Sequence, residues 1–167
     1  LNKNRYNNVL IYLPTFRDGI NNFLDDAGLD FTLLNQALNS TNNFLIVKLH
    51  PNIKTDCPNL SNLIFLDSKV DAYPLLPFTD CLISDYSSVY IDYLLLNKPL
   101  VFYCYDKDRY INSTRGLYYN YDDVTPGFKC YSFNDLISFL KSDLSLDHYS
   151  SERNKIKDLF WNKTYNT

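Results

Sequence analysis

Leu82-Ile83-Ser84-Asp85-Tyr86-Ser87-Ser88-Val89-Tyr90-Ile91-Asp92-Tyr93 decides how the rest of this chain is read. Cys81, Leu82 and Ile83 read as a short buried strand that breaks at Ser84-Asp85 and restarts as a helix over Ser88 to Asn97. Asp85, Ser87 and Ser88 all favour helix N-caps, because a side-chain oxygen can accept the first backbone N–H groups. Val89, Tyr93 and Leu96 recur at helical spacing and give that helix one apolar face. A strand that turns tightly into a helix points backbone donors and the positive end of the helix dipole outward. Such a junction suits a phosphate, and two serine hydroxyls add to it. An ordinary capped helix in an α/β domain would read the same way, so the flanking sequence has to decide.

Outward from this stretch the chain alternates strand and helix. Strands are expected at Asn8 to Leu13, Phe44 to Leu49, Leu63 to Leu66 and Leu100 to Tyr105. Helical patterns cover Phe31 to Leu38, Ala72 to Pro77, Phe133 to Lys141 and Ser151 to Trp161, with Asp106 to Tyr110 reading as a polar turn. Continuous apolar strands separated by helices predict a parallel sheet covered on both faces, with right-handed crossovers. In such sheets ligands bind beyond the carboxyl ends of the strands, at the point where strand order reverses. Polar residues collect on that edge: Thr15, Arg17 and Asp18 after the first strand, His50 after the second, Asp85, Ser87 and Ser88 after the fourth, and Tyr105 and Asp106 after the fifth. This coincidence points to a functional cleft.

The 167 residues make one domain, and an apolar fraction of 46% with 16% aromatic describes a folded core. Fifteen tyrosines and eleven phenylalanines stand against one tryptophan and no methionine, a bias towards half-buried rings with polar tips. A formal net charge of −3 gives no support to nucleic-acid binding. The four cysteines, Cys57, Cys81, Cys104 and Cys130, form no C-x-x-C pair, and they read as free thiols in a reducing compartment, not a zinc site. No apolar run reaches the ~20 residues that span a bilayer, and no signal peptide opens the chain. The first residue is leucine, so the chain reads as part of something longer.

Each candidate has a plain alternative. Arg17 can be a fork for phosphate or a solvated loop residue. Lys48 and His50 share one face of a strand, and Pro51 pins the backbone beyond His50, which can donate to a phosphate or satisfy a carbonyl. Asp92 lies one helical turn after Ser88 and can orient a serine or a ligand hydroxyl, or face solvent. Arg115 sits in a polar segment, Asp106 to Gly127, that is long for an idle connection, while Asp122, Asp123, Pro126 and Gly127 look like turn residues.

Taken in order, Leu13-Pro14-Thr15-Phe16-Arg17-Asp18, Lys48-Leu49-His50-Pro51, the block from Thr79 to Tyr93, Lys98-Pro99-Leu100-Val101-Phe102-Tyr103 and Arg115-Gly116 through Pro126-Gly127 resemble the CDP-glycerol glycerophosphotransferases. These are the teichoic-acid primases and polymerases, with CDP-ribitol-using relatives. Phe128 departs from the second proline that the family often carries there. The resemblance implies the carboxyl-terminal, Rossmann-like, nucleotide-binding half of a GT-B-type transferase. Its acceptor-side amino-terminal domain, with a histidine acting as base, is expected outside this chain. It implies transfer of a polyol phosphate from a CDP-activated donor to a polymer hydroxyl, with CMP leaving. His50 and Arg17 are then the expected catalytic groups, and Thr15, Arg17, His50, Asp85, Ser87, Ser88, Asp92 and Arg115 the expected donor and phosphate ligands. No carboxylate cluster demands a metal and no cofactor is required, although a divalent cation on the pyrophosphate stays open. The full protein is expected in the cytoplasm at the inner face of the membrane, with a lipid-linked acceptor.

Three other readings compete. A nucleotide-sugar glycosyltransferase half would want a glycine-rich loop, and four glycines in the chain count against it. A nucleotide-binding module inactive on its own remains. A receiver-like signalling domain is disfavoured, because Pro14-Thr15 stands where the acidic pair should be.

Overall fold

In the computed structural model, residues 3–17, 23–51, 53, 58–113, 119–144 and 146–162 are described. Six strands, β1 (Asn8–Tyr12), β2 (Asn43–Val47), β3 (Leu63–Phe65), β4 (Cys81–Ser84), β5 (Leu100–Tyr103) and β6 (Phe128–Cys130), form one sheet. All neighbours pair in parallel, in the order β3-β2-β1-β4-β5-β6. The order reverses between β1 and β4, so the switch point lies where these two strands end.

Alternate residues of the strands serve opposite faces, and the four central strands are buried on both. Leu10, Tyr12, Leu45, Val47, Ile83 and Val101 meet Leu34, Ala37 and Leu38 of α2 (Phe31–Ser40) and Leu136 and Leu140 of α6 (Phe133–Leu140). Val9, Ile11, Ile46, Leu82, Leu100 and Phe102 meet Val89, Tyr90 and Tyr93 of α3 (Val89–Tyr93) and, further out, Ile156 and Phe160 of α7 (Ser150–Trp161). Two of these helices start on side-chain caps. Asp30 accepts from Thr32 N and Leu33 N, and Ser132 and Asp135 close a reciprocal capping box. Arg153 ties α7 down from inside the fold, through Nε to Asn97 Oδ1 at 3.2 Å and Nη1 to Asp147 Oδ1 at 2.8 Å.

Several expectations need correction. The helix after β4 stays α-helical for only five residues, tightens into a 3₁₀ turn at Leu94–Leu96, and ends on Asn97 in the left-handed region. The helical pattern at 72–77 is present, as a 3₁₀ helix over Tyr73–Phe78. Asp106 to Gly127 is no open loop, since α4 (Lys107–Ser113) and α5 (Tyr121–Val124) fall within it, and β6 follows unforeseen. Gly127 is more than a turn residue: a Cβ there would collide with the Leu100 carbonyl, so the start of β6 approaches β5 as only glycine allows. The remaining short helix is α1 (Phe23–Asp26). Cys81, Cys104 and Cys130 are buried free thiols, and Cys57 lies outside the described residues. No described helix is long and apolar enough to cross a membrane.

Candidate functional site

The ends of β1 and β4 stay stitched together beyond their last paired residues. Leu13 N donates to Ile83 O at 3.0 Å, and Ser84 Oγ donates to Leu13 O at 3.0 Å. The chain after β1 is thereby held over the chain after β4, and Asp85 becomes the knot between them. Its carboxylate, 1% exposed, accepts from Thr15 N at 2.9 Å, Thr15 Oγ1 at 2.6 Å, Tyr86 N at 2.6 Å and Ser87 N at 3.3 Å.

Arg17 completes the knot. Its Nη1 meets Asp85 Oδ2 at 2.6 Å, while Nε and Nη2 fork onto the two oxygens of Asp106 at 3.0 and 3.1 Å. Tyr86 Oη also donates to Asp106 Oδ1, at 3.0 Å. The guanidinium carbon lies 5.1, 5.6 and 5.4 Å from the ring centres of Tyr86, Tyr105 and Tyr110, and Tyr86 stacks on Tyr110. Burial alone would push the Asp106 carboxyl up. The Arg17 hydrogen bonds and charge, with the Tyr86 hydroxyl, outweigh it and hold Asp106 below the ordinary carboxylate range. Burial likewise disfavours the Arg17 cation, yet the two carboxylates raise its pKa above the usual arginine value.

Beside this knot opens a cleft of about 260 Å³. Pro14 comes to it from the β1 loop, Lys48 and His50 from the β2 loop, Asp71 and Tyr73 from the start of the 3₁₀ helix, and Ser87 and Ser88 from the β4 turn. The His50 ring stacks on Phe16 with centroids 4.4 Å apart, which fixes the imidazole plane at the rim. Lys48 forms no ion pair among the described residues. Ser87 Oγ accepts from Val89 N at a long 3.5 Å, and Ser88 makes no capping bond, so both hydroxyls are available to a ligand. A cation, an imidazole and two hydroxyls around a small cleft can hold a phosphate or diphosphate. Among the described residues no group of three His, Cys, Asp or Glu side chains is arranged to bind a metal ion.

The family model for CDP-Glycerol:Poly(glycerophosphate) glycerophosphotransferase matches residues 1–165. The chain belongs to this family. Over 147 residues it is 37% identical to the teichoic acid glycerol-phosphate primase of Bacillus spizizenii (strain ATCC 23059 / NRRL B-14472 / W23), a match that takes in 86% of this chain and 37% of the relative. It is 38% identical over 144 residues to the teichoic acid poly(ribitol-phosphate) polymerase of the same strain, covering 81% of this chain and 22% of the relative. The solved structure of the wall teichoic acid polymerase TagF superposes with a TM-score of 0.71 at 28% identity, over 93% of this chain and 38% of that one. This chain therefore spans well under half the length of these relatives.

The structure does not bring all the expected ligands to the cleft. His50, Ser87 and Ser88 share the cleft. Thr15, Arg17 and Asp85 do not offer their polar groups to it. The Thr15 hydroxyl is taken by Asp85, the Arg17 guanidinium lies between two carboxylates at 5% exposure, and a buried carboxylate at 85 would repel phosphate, not bind it. Asp92 does not orient a serine; its Oδ2 accepts the Tyr73 hydroxyl at 2.7 Å. Arg115 lies outside the described residues. Lys48, Asp71 and Tyr73 line the cleft as well, although none of them is among the expected donor ligands. β2 ends at Val47, so Lys48 and His50 reach the cleft from the loop beyond it and not by strand alternation.

Proposed function

We propose that this chain is the donor-binding half of an enzyme that transfers glycerol phosphate, or a related polyol phosphate, from a CDP-activated donor to a hydroxyl of a growing teichoic-acid or capsule-like polymer. The observation that carries this reading is the cleft at the carboxyl end of the sheet, where Lys48, His50, Ser87 and Ser88 converge from two separate loops. The teichoic acid primases and polymerases among the relatives supply the substrate class. In this reading the acceptor oxygen attacks the phosphorus bearing the polyol. The bond from that phosphorus to the bridging oxygen breaks, and CMP leaves with that oxygen and its electron pair. Catalysis of this kind is mostly positioning and charge stabilisation. Lys48 and His50 offset the diphosphate charge, and His50 donates to the departing phosphate. The serine hydroxyls donate to the non-bridging oxygens. Arg17, Asp85, Asp106 and Thr15 hold the loops that present these groups, and Arg115 adds a second cation. An acceptor-side domain completes the site and provides the base, with a lipid-linked acceptor at the inner face of the cell membrane.

Calorimetry on the full-length protein with CDP, CDP-glycerol and a UDP-sugar tests the donor. CDP-glycerol is expected to bind and the UDP-sugar is not; the reverse order would favour a glycosyltransferase. His50→Ala is expected to lower turnover by about 100-fold, on the scale of losing one preorganised donor. Wild-type turnover by that variant would remove His50 from the chemistry.

A further inference from the structure

We infer that Phe16 is the positioning residue for His50, carrying the rigidity of the Arg17 knot across to the imidazole and holding that ring at the angle the departing phosphate requires. The inference rests on the reading of His50 as the donor to that phosphate. Phe16 is half-buried, yet among the described residues it joins neither of the two apolar cores. Its ring lies instead on the His50 imidazole, with centroids 4.4 Å apart and planes 30° from parallel. Aromatic pairs favour such stacking. A ring of that size, kept out of the core and set against His50, serves something other than packing.

The two residues differ in how firmly the chain holds them. Phe16 lies between two anchors. Thr15 N and Oγ1 donate to Asp85 at 2.9 and 2.6 Å, and the Arg17 guanidinium forks onto Asp106 at 3.0 and 3.1 Å. The backbone on either side of the ring is thereby tied to the segments that follow β4 and β5. His50 is exposed and lies beyond the end of β2, in a turn closed by Ile53 N donating to its carbonyl at 2.9 Å. An exposed side chain on such a turn samples several rotamers, and ordering it costs free energy. Stacking against an anchored ring removes much of that freedom before the donor arrives. It also sets the plane in which the imidazole nitrogens present their protons. The β1 loop therefore aims a group that the β2 loop supplies. Binding of the diphosphate draws on Lys48, Ser87 and Ser88 as well, whereas donation to the leaving group depends on the aim of His50. Phe16 should accordingly act on kcat more than on KM.

The test compares full-length wild type with Phe16→Leu, Phe16→Met and Phe16→Tyr, using CDP-glycerol as donor, and repeats the leucine substitution in a His50→Ala background. Leucine and methionine keep an apolar side chain without the ring. Both are expected to lower kcat about tenfold while KM stays within about twofold of wild type, the mark of a misaimed group. Tyrosine keeps the ring and is expected to hold kcat within about twofold of wild type. In the His50→Ala background the leucine is expected to cost less than about twofold more, because the group it positions is gone. The inference is overturned, with the donor reading left standing, by any of four results: a full tenfold loss in that background, wild-type kcat without the ring, no rescue by tyrosine, or loss of folding by both ring-less variants in urea unfolding. Wild-type turnover by His50→Ala removes the role of His50 and this inference together. A wild type that does not turn over CDP-glycerol overturns the donor reading as well.

Discussion

Arg17 is surrounded by charge and almost without water, and that combination sets what its replacement costs. Two carboxylates and one guanidinium share the space, each guanidinium nitrogen donating to an oxygen. Removing the cation leaves Asp85 and Asp106 buried and mutually repelling, a change that typically costs about 3–5 kcal/mol. Arg17→Ala is accordingly expected to lose stability on that scale in urea unfolding, with donor binding failing as folding fails. Arg17→Lys keeps the charge but not the fork and should fall between the two. A loss below about 1 kcal/mol for the alanine variant would refute the account. Thr15, Arg17 and Asp85 were legible as residues crowded at strand ends. Their pairing was not, because 68 residues separate Arg17 from Asp85 and 89 separate it from Asp106, and periodicity carries no information at that range.

Among the elements, the apolar strands were readable, down to the three residues of β3, and the half-exposed β6 was not. The five-residue strands β1 and β2 are apolar runs with both faces buried, so composition alone marks them. β6 has three residues, an exposed phenylalanine and a lysine among them, and follows a stretch rich in turn residues. Its place in the sheet comes from pairing with β5, Val101 opposite Phe128, which no local pattern reports. That contact makes Gly127 testable. Gly127→Ala would drive a methyl group into the backbone of β5 at Leu100, and a loss of about 1–3 kcal/mol in thermal or chemical unfolding is expected. Ser132→Ala, which breaks the capping box of α6, should cost about 1 kcal/mol. An alanine at 127 with unchanged stability would mean that β6 is not held as described. The helix after β4 illustrates the opposite error: its apolar spacing runs on past Tyr93, but the backbone tightens there and stops at Asn97, two residues before Pro99.

For the molecule as a whole, buried ionisable groups bound the pH range of stability on both sides. Asp106, buried but held by Arg17, and Asp147, held chiefly by its Arg153 hydrogen bond, lie below the ordinary carboxylate value. Between their folded values and about pH 4 the unfolded chain binds more protons than the folded one, so stability falls as pH drops through that window. On the alkaline side, burial pushes the Cys81 thiol up and raises Cys104 to about 11 and Cys130 to about 12. The unfolded chain then releases protons first, from about pH 8.5, and stability falls as pH rises from there. Urea unfolding in reducing buffer from pH 3 to pH 10 is expected to trace a dome; a flat profile above pH 9 would contradict the burial of the thiols. The guanidinium at the switch point has an evolutionary corollary. Segments following β1, β4 and β5 converge on one side chain, so none can be inherited alone. A chimera that grafts residues 84–93 from a distant homologue, without the matching loop at 14–17 and the aspartate at 106, would seat a foreign junction on a mismatched cation. Recombination among these enzymes should therefore succeed when the three segments travel as a set.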